Sequence, residues 1–401
     1  MSSCEAGVHM KVVFVRYGSI LEPDIIDTFQ EFGLEVIEYV REITYKDDIA
    51  STSVMLLHEF LEKNPCDFLF SMDFFPYVSE VANIYHMRYV SWVVDAPILE
   101  LYTSSITNKW NRTFIFDRAL YNEIHPLNPD CVFHLPLAGS VKRRMQVIKN
   151  ASSTQRKKFS HDIAFVGSLY SEKNPLSNAE GLSEHTKGYL EGMIKAQELV
   201  YGYFFIEELL SDDLVNEIKK SLKAFPAPME GGFLTDKRTI AQEYIGNAVT
   251  AAEREDTFRM LSENFNVSIY TGSDTSKMPH IHNLGLAKSQ EEMPIIFNRS
   301  KININTTSKP IRTGLPLRIF DILSCGGFCI SNYQEEIPEL FTPGEEIVMY
   351  ESLDELKELC AYYLDHEDER RQIAEAGFEK LKYNYTYEIV LQKLLYTAFS
   401  K

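Results

Sequence analysis

From Lys11 onward, short apolar runs of strand character alternate with amphipathic stretches of helical character, and this alternation restricts the chain more than any other feature. Lys11 to Val15, Leu34 to Tyr39, Asp67 to Ser71, Tyr89 to Val94, Thr113 to Asp117 and Cys131 to Leu135 read as strands. Pro23 to Phe32 and Ala50 to Lys63 read as helices between them, the second with Leu56, Leu57, Phe60 and Leu61 on one face. Parallel neighbours need a crossover, and a helix supplies it, so the pattern predicts an α/β chain with a doubly wound parallel sheet.

A second unit of the same kind opens at Asp162 to Val166 and continues through Val267 to Tyr270, Lys301 to Asn305, Phe328 to Ser331 and Glu346 to Met349. Helices close the chain over Leu353 to Leu364, Glu369 to Leu381 and Tyr387 to Phe399. At 401 residues the chain is too long for one core and fits two domains. The expected division is an N-terminal domain over 10–139, a linker over 140–160 and a C-terminal domain over 161–385. A final helix, 386–401, is expected to pack back on the first domain. The linker is polar and basic, with Lys142, Arg143, Arg144, Lys149, Arg156, Lys157 and Lys158. About 182–264 is too long for an ordinary connection and predicts an inserted helical subdomain, broken at Ala224 to Gly232 by prolines and glycines. Ser2 to His9 carries no structural pattern before a natural-looking start at Met10; it reads as an expression remnant, set apart from the fold.

Composition removes several classes of function. A formal net charge of -18 argues against nucleic acid or an anionic membrane as the main partner. No apolar run is long enough to span a bilayer and no signal-peptide pattern opens the chain, so a cytoplasmic location is expected. The six cysteines are scattered and read as reduced thiols. His280 and His282 lack a third ligand nearby, no Asp-x-Asp site follows a strand, and neither a P-loop nor G-x-G-x-x-G is present, so no metal is expected.

The chemistry concentrates in Ser300 to Ser331, SKININTTSKPIRTGLPLRIFDILSCGGFCIS. A strand leads through a polar loop into a helix that opens near Gly314 and Pro316 and ends at Gly326 and Gly327. That helix is apolar except for Arg318 and Asp321, neighbours on one face. A buried polar edge needs a partner. In one reading the partner is a nucleotide: amides near Gly314 and Leu315 face a diphosphate, Arg318 forks onto phosphate oxygens, and Asp321 accepts from ribose hydroxyls. In the other, Arg318 and Asp321 simply pair with each other.

This stretch resembles the C-terminal region of the CgeB-like (spore-maturation-protein-type) glycosyltransferases. They are related to the large retaining group that carries two acidic residues eight positions apart, the second five residues before a glycine. The second acid falls at Asp321, before Gly326; the first would fall at Thr313, which is not acidic. AFVGSLYSEKN resembles the same group's diphosphate-binding segment, with Ser168 at the arginine position and Lys173 at the lysine position. Arg318 is expected to supply the missing charge. In the first half, YVSWVVDAP and FIFDRA resemble the matching domain, with Asp95 at the strand end where the group has a histidine near the transferred sugar. Asp95 either orients a sugar hydroxyl or caps the turn beside Pro97. Gly18 after the first strand and Tyr270 at the end of a later one are weaker candidates for approaching the donor and the base.

The resemblance implies the GT-B fold, two Rossmann-like domains with a cleft between them. It implies transfer of a hexosyl or N-acetylhexosaminyl group such as GlcNAc from a nucleotide sugar, UDP-linked, to an acceptor hydroxyl, retaining and without a metal or prosthetic group. The implied acceptor is a glycan or protein of a bacterial surface, with flagellin or a spore-surface protein as examples. Asp95 and Arg318 are the expected catalytic residues, and Gly18, Lys173, Tyr270, Gly314, Leu315, Arg318 and Asp321 the expected donor contacts. Two rivals remain: a catalytically silent relative that binds nucleotide sugar or scaffolds, and a two-lobed small-ligand receptor, which would ordinarily carry an export signal.

Overall fold

A computed structural model describes residues 10–44 and 50–400; Ser2 to His9 lie outside them. Two six-stranded sheets, parallel throughout, make up the frame. The first runs in the order β2-β1-β3-β4-β5-β6, with β1 Lys11–Val15, β2 Glu35–Tyr39, β3 Phe68–Met72, β4 Arg88–Val93, β5 Asn111–Ile115 and β6 Val132–His134. The second runs β12-β11-β10-β7-β8-β9, with β7 Ile163–Val166, β8 Val267–Tyr270, β9 His282–Asn283, β10 Ile302–Asn305, β11 Cys329–Asn332 and β12 Val348–Tyr350. Each order reverses direction beside its first strand, at β1/β3 and at β7/β10. There doubly wound sheets leave a crevice at the carboxyl ends of the strands. The two-residue β9 carried no sequence signal because it is too short to show a period.

Apolar side chains join the two units. Phe14, Trp92 and Phe116 of the first sheet share a continuous core with Ile319, Phe320 and Leu323 of helix Leu317–Ser324. The last helix, Tyr387–Ser400, lies on the first domain: Tyr387 meets the Trp92 ring edge-on and Phe399 meets Phe68. Separate apolar clusters cover the outer face of each sheet.

Residues 140–160 are not an irregular tether. Val141–Asn150 and Ser153–Lys158 are helices, the second opened by a Ser152/Gln155 capping box. Lys142, Arg143 and Arg144 pair with Glu31, Asp27 and Asp24 of helix Glu22–Glu31. The first three of the basic residues that suggested a solvated linker are thus matched by acids on a neighbour far away in sequence, while Lys149, Arg156 and Lys157 are exposed.

The long stretch after β7 folds as helices Glu184–Glu198, Asp212–Ser221 and Gly246–Asn264 around its own apolar cluster, which includes Met193, Ile218, Ile240 and Val249. It reaches across to the first domain. Ser104 donates to the Gly231 carbonyl and Phe233 to that of Tyr102. Among the described residues no helix is long and apolar enough to cross a membrane.

Candidate active site in the interdomain cleft

Strand ends of both sheets close on a cavity of about 240 Å³. From the first domain come Val94, Asp95 and Ala96 after β4. The second contributes Gly167, Ser168, Tyr170 and Lys173 after β7, Asn305 and Thr306 at β10, and Pro316, Leu317 and Arg318 at the start of helix Leu317–Ser324. Arg254, on helix Gly246–Asn264, completes the lining. Positioning follows from topology: β7 and β10 are neighbours at the sheet's reversal, so the loops after them diverge around this point.

The second-domain wall is cationic. Lys173 lies over the Tyr170 ring at 4.9 Å. Arg254 is buried and donates to the carbonyls of Ser168 and Thr306 (2.6 Å to the latter), tying the two loops together; its guanidinium also stacks on Tyr170 at 4.6 Å. Burial draws the Arg254 and Arg318 pKa values down from the usual arginine range. Since arginine stays charged, the site holds positive charge at a cost that an anion would relieve. Arg254 was missed in the sequence because it sits on the inserted helix, far from any motif. The helix beginning at Leu317 adds first-turn N–H groups that have no partner within the helix.

The first-domain wall is acidic. Asp73, at positive φ (56°) after β3, is almost fully buried. Its Oδ1 accepts from the amides of Val94 (2.9 Å) and Asp95 (3.2 Å), and its Oδ2 from the Tyr17 hydroxyl (2.7 Å). Asp95 lies 3.4 Å from that hydroxyl and reaches solvent through the cleft. Burial, then the charge of Asp95, raises the Asp73 carboxyl; burial also raises Asp95, and Lys173 opposes the shift. Tyr17 and Asp73 carried no motif, and only the adjacency of β1, β3 and β4 gathers them.

Other residues expected to contact the donor lie away from this cavity. The Gly314 amide does not face the cavity: Asp117 of the first domain accepts from the amides of Arg312 (2.7 Å), Thr313 (3.1 Å) and Gly314 (3.3 Å). A Cβ on Gly314 would stand 2.8 Å from the Asp117 Cα, so glycine is needed here for domain contact. Leu315 is buried in the shared core. Asp321 is not among the lining residues; Arg144 (3.5 Å) and Arg318 (3.9 Å) hold it. The Gly18 amide donates to buried Glu22 (3.0 Å), and the Tyr270 hydroxyl bonds His161 (2.8 Å), which precedes β7 at the amino end of the strands. Ser168, expected near the diphosphate, donates to Glu172. Asp95, Lys173 and Arg318 are the expected residues that do meet at the cavity.

A larger cavity, about 810 Å³, lies along the same cleft under the insertion, bounded by Tyr203, Phe204, Glu207, Lys237, Gln242, Thr313 and Glu335.

A Rickettsia africae glycosyltransferase structure superposes with a TM-score of 0.57 at 10% identity, covering 98% of each chain. The fold is GT-B. Anabaena HepE in complex with UDP-glucose (TM-score 0.53, 10% identity, 98% of this chain and 100% of that one) shares it. So does the Thermosynechococcus elongatus sucrose-phosphate synthase (0.57, 9%, 98% and 100%). Residues 254–396, which include Arg254, Arg318 and Asp321, match the family described as glycosyl transferase-like. No curated protein matches the sequence.

Proposed function

We propose that the chain is a glycosyltransferase that moves a sugar from a UDP-linked donor to an acceptor hydroxyl, as its resemblance to the CgeB-like enzymes implies. One observation carries the reading: Lys173, Arg254 and Arg318 converge on a cavity that faces Asp95 across the cleft. The three cations and the first-turn amides of the helix at Leu317 suit a diphosphate. As the bond from C1 of the sugar to the diphosphate oxygen breaks, Lys173 and Arg318 stabilise the charge that grows on the departing phosphate. In a retaining course, the acceptor oxygen bonds C1 from the face the phosphate leaves, and its proton passes to the phosphate. Asp95 orients a hydroxyl of donor or acceptor, held in turn by the Asp73 and Tyr17 pair. A saccharide or a protein hydroxyl reaches the centre along the cleft, where the aromatic and polar walls beneath the insertion offer room for the acceptor.

A second reading, a silent homologue that binds nucleotide sugar without transfer, is favoured by Thr313 at the acidic position and by Asp117 filling the amides beside it. A thermal-shift screen of nucleoside diphosphates and nucleotide sugars separates the two when followed by a UDP-release assay. UDP is expected to raise the melting temperature most, and UDP release to follow addition of donor. Binding without release selects the silent homologue; no response to any nucleotide removes both readings.

A further inference from the structure

A row of buried alternating charges runs from the first domain to the wall of the donor cavity. Asp24, on helix Glu22–Glu31, lies 3.7 Å from the Arg144 guanidinium. The same Nη2 lies 3.5 Å from Oδ1 of Asp321, and the other oxygen of Asp321 lies 3.9 Å from Arg318. Arg144 is 2% exposed and Asp321 4%. Through Nη1, Arg144 also donates to Gln290 (2.7 Å), which donates to the Ile20 carbonyl (3.1 Å), a second tie to the first domain. Arg318 alone in the row lines the cavity.

We propose that Arg144 is a positioning residue for the donor site: it sets the Arg318 guanidinium through Asp321, and its contacts with Asp24 and Gln290 make that setting depend on how the N-terminal domain is seated. The inference rests on the donor reading given above and goes past it. Four charges placed beside an apolar core are a poor way to stabilise a fold, since apolar residues of similar volume usually serve as well or better. Their order gives them a different use. Asp321 divides its two oxygens between two guanidiniums, so loss of Arg144 leaves it free to draw Arg318 inward from the cavity. Domain closure, which seats helix Glu22–Glu31 against Arg144, thereby readies the anion site.

The test uses the full chain with UDP as the probe. Arg144→Gln is expected to weaken UDP binding about tenfold, as read by calorimetry. Arg144→Lys should restore most of the loss, because the contacts are single-point rather than bidentate. Arg144→Gln added to Arg318→Gln should cost nothing further. Normal UDP affinity in a folded Arg144→Gln chain, or additive losses in the double variant, overturns the proposal. Should the unaltered chain fail to bind UDP, the donor reading falls, and positioning is then read from the Nε–H resonance of Arg318 in arginine-labelled protein, assigned with Arg318→Lys. Asp24→Asn, a milder change than Arg144→Gln, must move that resonance, whereas Arg144→Lys should leave it close to its original place; a signal that stays in place in Asp24→Asn refutes the coupling.

Discussion

The two domains meet in two ways along one loop, and their charges are handled in opposite fashion. Around residues 312–314 every charge has a partner across the seam. Asp117 takes three amides, Glu123 takes Arg312 and Arg238, and Glu336 takes the Arg118 amide, the Thr313 hydroxyl and His134. At the cavity, Lys173 and Arg254 have no carboxylate ion pair among the described residues, and Arg318 only a distant one. Matched charge holds the domains together, whereas the unmatched charge faces an open cavity. Thr313 belongs to the first kind of contact. At the position where the resembled group keeps an acid, this chain has turned the residue to interdomain adhesion.

If the cavity face is a ligand face, the largest effect should come from Arg318→Ala, with turnover falling about a hundredfold and UDP binding weakened well beyond that of Ser168→Ala. Ser168 already donates to Glu172, so its loss removes little from a ligand. Equal losses in a nucleotide titration would erase the distinction between the two faces. The matched seam is probed by Gly314→Ala, whose Cβ would press on the Asp117 backbone at 2.8 Å. A destabilisation of about 1 to 3 kcal/mol is expected, with intact UDP affinity in the chain that remains folded. A normal melting temperature would mean the seam is looser than described.

The smallest effect sharpens the acidic wall. Burial and Asp95 raise the Asp73 carboxyl above its ordinary range, so the folded chain holds that proton more tightly than the unfolded one. The stability it contributes is full below about pH 4 and declines as pH climbs through the raised value. Asp73→Asn keeps an acceptor for the Val94 and Asp95 amides and tolerates the positive φ. Its melting temperature relative to the unaltered chain should therefore rise between mildly acidic and mildly alkaline buffer. A flat or falling difference would show that Asp73 is ordinarily ionised in the fold.

Much of the architecture was legible in local pattern. Strand and helix alternate with clear periods, and eleven of the expected strands coincide with observed ones to within two residues at either end. Arg318 was singled out because a proline and glycines punctuate its helix, and Lys173 only through the resemblance of AFVGSLYSEKN to a diphosphate-binding segment. Arg254, which lines the cavity, and Tyr17 and Asp73, which contact Asp95, were not, since each lies in an unremarkable local sequence and reaches its place only when distant elements are laid side by side. Gly314 and Asp321 misled for the converse reason. A motif specifies residue type and spacing, while the partner that claims an amide or a carboxylate arrives from elsewhere in the chain.

Two parallel sheets, their helical layers and the loop that carries Arg318 follow from the order of residues alone, because periodicity and turn chemistry act over a few neighbours. Which charges are spent on holding the domains and which stay open toward the cavity was decided by tertiary packing. Asp117, Asp24 and Arg144 come within reach of helix Leu317–Ser324 and the loop before it only after the chain has folded back on itself, and electrostatic pairing depends on distance in space.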